Sequence, residues 1–107
     1  MGQTSSINLF GRKINIYGHS NEIKSSIKEI VSSLPNDEYE LQNALNELSG
    51  IRKYIDNNDK SNNVITKLWL VESLRAEIML KLSTTIINTL LLIFLSINFM
   101  ILRIINI

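Results

Sequence analysis

The chain has 107 residues, a formal net charge of +1 and no cysteine. That length sets one domain as the expectation. The near-neutral charge carries no nucleic-acid signature, and without cysteine there are no disulfides, thiolate chemistry, zinc fingers or palmitoylation. The single histidine, His19, excludes a His-rich metal site.

The chain opens Met1-Gly2-Gln3-Thr4-Ser5-Ser6, which fits the acceptor pattern for N-myristoylation in a eukaryote or a virus of one. Removal of Met1 frees the Gly2 amine, and Ser6 supplies the small hydroxyl residue that the pattern needs. The first apolar run is too short for a signal peptide. One myristoyl chain binds membranes only marginally, so a second membrane signal is expected elsewhere. Arg12 and Lys13, at a turn close to the acylated end, are candidates for contact with lipid headgroups. Lys24 and Lys28, opposed by Glu22 and Glu29, read as solvated surface.

Residues 1–19 form the N-terminal acylated segment. Ile7-Asn8-Leu9-Phe10 and Ile14-Asn15-Ile16-Tyr17 alternate apolar and polar, with Gly11-Arg12-Lys13 between them and Gly18 after. This predicts a short β-hairpin. An isolated hairpin is marginal, so it must pack on the helices or the membrane.

Residues 20–55 read as an amphipathic helical hairpin. Ser20 or Asn21 can cap the first helix. Ile23, Ile27, Ile30, Val31 and Leu34 then share one helical face, and Pro35 ends the run. Asp37 and Glu40 have the spacing of a capping box. The second helix covers 38–55. Its Leu41, Ala44, Leu48, Ile51 and Ile55 keep 3-4 spacing, Leu45 widens the stripe, and antiparallel packing of the two helices follows. Residues 56–63 contain no apolar member and predict an exposed, mobile linker. Residues 64–81 predict a juxtamembrane helix with Val64, Leu68, Val71, Ile78 and Leu82 on its apolar face. Leu74 flanks that stripe, and Trp69 reads as the largest core residue of the bundle, or as an interfacial residue if this helix lies along the membrane surface.

With no Gly or Pro, that helix continues into residues 82–102, which carry no charge. At ~1.5 Å per residue this stretch spans roughly 31 Å, about the thickness of a bilayer's hydrocarbon core. Thirteen of its residues are Leu, Ile or Phe. At ~0.3–0.6 kcal/mol each they outweigh Asn88, Asn98 and the hydroxyl residues. Lys81 and Arg103 bracket the run, which reads as a transmembrane helix. Lys67, Arg75 and Lys81 precede it and only Arg103 follows. The positive-inside rule therefore places the N-terminus in the cytosol and the 103–107 tail on the luminal or extracellular side. The chain reads as tail-anchored and single-pass. The fold class is mainly α: a short N-terminal β-hairpin, a small helical hairpin and a long C-terminal helix continuing into one span.

No P-loop, dinucleotide fingerprint, zinc-protease helix or nucleophile elbow occurs, so no catalytic residue, cofactor or metal is assigned. Thr85, Asn88, Thr89 and Ser96 fall on one side of the span. A polar stripe in lipid can face another copy of the helix, with Asn88 bonding across the interface for ~0.6–2 kcal/mol. It can also line a narrow pore, or its hydroxyls can bond back to their own helix. The expected function is a non-enzymatic adaptor held on the cytosolic leaflet by both anchors, which lie on the same side of the domain. Its partners are the bilayer, a protein not specified by the sequence and, through the span, a second copy. The alternative is a self-associating protein that permeabilises or fuses membranes.

A short chain with an acylation motif at Gly2–Ser6, one span and no cysteine resembles small accessory membrane proteins of eukaryotic viruses. The fusion-associated small transmembrane proteins of reoviruses and rotaviruses are one such family. The resemblance covers the motif and the existence of a span, and it implies a viral accessory role at host membranes. In that family the span lies nearer the middle, a basic cytosolic tail follows it, and the N-terminus is outside. Here five residues follow the span.

Overall fold

Alternation at the start of the chain produces the hairpin. In a computed structural model that describes residues 6–106, β1 (Ser6–Leu9) pairs antiparallel with β2 (Arg12–Asn15), and Ile7 lies opposite Ile14. Ile7, Leu9, Ile14 and Ile16 all point into the core. The turn is Phe10-Gly11, one residue earlier than the spacing predicts. Both residues have positive φ, 54° and 79°. Two residues of that hand match the right-handed twist of a hairpin, and glycine adopts it freely. Phe10 does so at a cost, and its ring packs against the core. Arg12 and Lys13 are consequently strand residues, not turn residues.

α1 (Ser20–Ser33) buries Ile23, Ile27 and Ile30, the face its spacing predicts. Its N-cap is His19, which makes no side-chain capping bond, in place of Ser20 or Asn21. α2 (Glu38–Asn58) begins as its sequence predicts. The Asp37 carboxylate accepts from the Glu40 amide at 2.9 Å, a bond worth about 1 kcal/mol at an N-cap. Leu41, Ala44, Leu48 and Ile55 are buried, with Leu45 and Ile51 at the margin.

α3 (Val64–Ile105) is one unbroken helix of 42 residues, about 63 Å long at its ~1.5 Å rise. It is the common wall of the domain. Lys24 and Ile27 lie beside Trp69 and Ser73, while the end of α1 meets Lys81, so α1 runs parallel to α3. Arg52 meets Glu72 at 2.7 Å and Asp59 meets Lys67 at 2.6 Å, so α2 runs back antiparallel. The two shorter helices pack chiefly on α3 and not on each other. The hairpin lies between them. β2 runs beside α1, and Ser6–Asn8 face Ile51, Tyr54 and Ile55 of α2.

The buried arc of α3 differs from the predicted one. Leu70, Val71, Leu74 and Ile78 are fully buried, and Leu82 nearly so. Leu74 is central, whereas Val64 and Leu68 are marginal. Trp69 is 54% exposed and is not a core residue. The cause is local composition. Val64, Ile65, Leu68, Trp69, Leu70 and Val71 put apolar groups on every side of the first turns. The positions of α1 and α2, and not the periodicity, then decide which arc is covered.

The polar stretch between α2 and α3 is not an open linker. Asp56–Asn58 complete α2. Asp59, Ser61, Asn63 and Lys67 then form a closed network in which Asn63 and Lys67 are buried. Lys67 donates to Asp59 at 2.6 Å, the Ser61 amide donates to Asp59 at 2.8 Å, and the Ser61 hydroxyl bridges Asp59 and Asn63. Hydrogen bonds from Lys67 and then Ser61 lower the Asp59 pKa from its ordinary 3.8 to about 2. A carboxylate that is easier to ionise when folded stabilises the fold above its unfolded pKa. That contribution is therefore present above pH 3.8 and is lost as pH falls toward about 2. Urea midpoints of the full chain in detergent should fall across that window relative to Asp59→Asn, which lacks the titrating group. Parallel pH profiles for the two proteins would remove the network from the stability account.

Candidate membrane span and its junction with the domain

The domain stops before α3 does. Leu82 is the last buried residue, and from Ile87 to Asn106 every residue is exposed. Sixteen large apolar side chains from Met79 onward stand 43–70% exposed on one free helix. Soluble monomers rarely show a contiguous apolar patch above a few hundred Å². A lone helix also satisfies all its backbone groups internally, which is the requirement for crossing hydrocarbon. This is one helix long and apolar enough to cross a membrane.

The junction is built on Lys81. Its ammonium donates to the Val31 carbonyl at 2.6 Å and to the Leu34 carbonyl. These groups lie at the C-terminal end of α1, which has no basic residue in its own last turn. A cation there joins the Leu34 amide on the Val31 carbonyl and complements the helix dipole. In the sequence Lys81 is legible only as the charge before the span. Its capping role has no local signal, because its partners lie 50 and 47 residues away. Lys81→Met keeps the aliphatic stem and loses charge-assisted bonds worth about 1.5–3 kcal/mol in total. Hydrogen exchange at the end of α1 should speed up selectively. Unchanged protection of the Leu34 amide would mean that α1 holds without this tie.

Below Lys81, residues Ser32, Asn36, Thr85, Asn88 and Thr89 border a groove of about 550 Å³. It brings three of the four predicted stripe residues under the end of α1. The hydroxyls of Thr84, Thr85 and Thr89 donate to the carbonyls of Leu80, Lys81 and Thr85 at 2.9–3.0 Å. Two of the four stripe residues, Thr85 and Thr89, thus bond back to their own helix. The Asn88 amide makes no hydrogen bond among the described residues, and Ser96 lies lower on the exposed helix.

The other predicted sites lie apart from this junction. Arg12 pairs with Glu29 at 2.7 Å, with both side chains about half exposed. Such a pair contributes at most about 1 kcal/mol. Lys13 is exposed on β2. Glu29 is about one turn above the α1 end that Lys81 caps, so Arg12 sits at the span-ward end of the hairpin. Gly2 lies outside the described residues. Ser6, the last residue of its motif, lies at the opposite end of the domain, in a groove shared with Ile55, Asp59 and Lys67. From Lys67 to Leu82 the helix rises about 22 Å. The expectation that both anchors lie on the same side of the domain concerns Gly2 and so falls outside the described residues.

Compared with known proteins, the chain matches no family, no curated sequence and no solved structure. Its class rests on its own geometry: a small domain with an N-terminal hairpin, built around one helix that is apolar enough to cross a membrane.

Proposed function

We propose that this chain is a non-enzymatic, single-pass membrane protein whose small domain stands on the cytosolic leaflet and presents its surface to a protein partner. The observation that supports this reading is the uncovered apolar half of α3, which begins directly below the Lys81 junction. The excess of Lys67, Arg75 and Lys81 over Arg103 favours a cytosolic domain. The acylation motif at Gly2 favours the same side, and with the architecture it supports a viral accessory role.

Carbonate extraction and protease protection of microsomes test the reading together. The chain should stay in the pellet at high pH, and protease should leave only a short fragment containing the span. Release at high pH would reject the span. Survival of the whole domain in sealed vesicles would reverse its sidedness. Intact mass of the wild type and of Gly2→Ala reads the acyl group separately.

A further inference from the structure

We infer that α3 carries a parallel homodimer seam on the arc opposite its buried Leu74 and Ile78, with Trp69, Ser73 and Leu80 at the edge that borders α1. Starting at Trp69 and stepping four residues, then three, the positions are Trp69, Ser73, Ala76, Leu80, Ser83 and Ile87. The same register continues to Ile104. A repeat of this kind is the signature of two helices packed along a shallow left-handed crossing. This is the sole heptad frame of α3 with no charged member. It runs uninterrupted from the domain through the candidate span.

The seam is exposed from Ser83 downward, while above that point Trp69 and Ser73 border α1 beside Lys24, Ile27 and Lys28, with Ser73 partly buried. Eight large apolar side chains lie along the seam, from Trp69 to Ile104, and they are between 47% and 67% exposed. Ser73, Ala76 and Ser83 are small and permit close approach of the backbones.

Geometry selects a second copy as the occupant. A second copy runs through both the domain layer and the bilayer, so one occupant covers both halves of the seam at once. Copies inserted with the same topology are parallel, with their registers already aligned. The opposite face cannot serve over its full length. Val31, Ser32 and Asn36 border the groove over Thr85, Asn88 and Thr89. A second helix at the ~8–10 Å of close packing would occupy the space that α1 fills. Glu72 and Glu77 flank the seam and face each other across a parallel pair. Glu72 is already held by Arg52 at 2.7 Å and Arg75 at 3.5 Å.

The chain has no cysteine, so single substitutions report contact directly. Full-length Ser73→Cys, Ser83→Cys and Thr89→Cys are reconstituted in phosphatidylcholine vesicles, floated and oxidised. Disulfide-linked dimer should form at Ser73→Cys and Ser83→Cys and be at least tenfold lower at Thr89→Cys. Adding Ala76→Glu, at an exposed position, should reduce the Ser83→Cys dimer at least tenfold without moving the domain's unfolding midpoint. Floated chains that remain monomeric at both seam positions, or that link only through Thr89→Cys, overturn the seam. The membrane half of the seam rests on the span reading, which flotation tests independently. Chains that do not float overturn that reading, and Ser73→Cys then judges the domain half alone.

Discussion

Leu91→Arg combined with Phe94→Arg should release the chain from membranes at high pH, while the wild type stays in the pellet. Both residues are more than half exposed, so neither supports the domain. Near the centre of a span, arginine is unfavourable by about 2.5–3.5 kcal/mol, where Leu or Phe is favourable by ~0.3–0.6. Each exchange thus shifts insertion by about 3–4 kcal/mol, and the pair by about 6–8 kcal/mol. The Leu, Ile and Phe residues of 82–102 together supply only about 4–8 kcal/mol on the same scale. The double variant should lose nearly all of that gain, and its domain should melt in detergent as the wild type does. Ser25→Arg, on the exposed side of α1, serves as the charge control and should change neither reading. A double variant that remains in the pellet would place the membrane attachment outside α3.

Leu74→Ala should cost about 2–5 kcal/mol, the usual range for emptying a closed core site. Leu74 has no exposed surface and sits midway along the wall that α1 and α2 share. A domain of roughly 80 residues has about 4–12 kcal/mol in all, so this one truncation removes a large share. Trp69→Ala removes a larger side chain, yet the half-exposed position should limit its cost to a small fraction of that. Limited proteolysis in urea reads both variants without depending on the part of α3 inside the micelle. If Trp69→Ala proved the more damaging substitution, Trp69 and not Leu74 would be the main core residue of α3.

That contrast marks where local pattern stops being informative. Ile23, Ile27 and Ile30 on α1, and Leu41 to Ile55 on α2, were legible because polar residues occupy every other side of those helices. Asp37 and Glu40 were legible because a capping bond is local. The span was legible because its length and lack of charge need no tertiary context. The arc of α3 was legible only in its lower part, where Val71, Ile78 and Leu82 are buried, since its first turns are apolar all round and only docked neighbours choose among the faces. The Lys81 tie and the Asp59–Lys67 closure were hidden for a different reason: charged residues in a polar stretch look solvated until the fold brings carbonyls or a carboxylate to them. At the hairpin, alternation gave the inward side chains correctly, while the turn moved to Phe10-Gly11 because twist, and not composition, selects the closing residues.

α3 contains neither glycine nor proline from Val64 to Ile105, so nothing in it acts as a swivel at the water boundary. Any lean of the lower half is therefore copied by the upper half, with leverage. At the ~20° inclination common for single helices in bilayers, the far end of the domain, about 22 Å above Leu82, moves sideways by roughly 8 Å. Whatever fixes that inclination in a bilayer, a neighbouring helix or the charges at Lys81 and Arg103, would thereby steer where Ser6 and the hairpin's open end point.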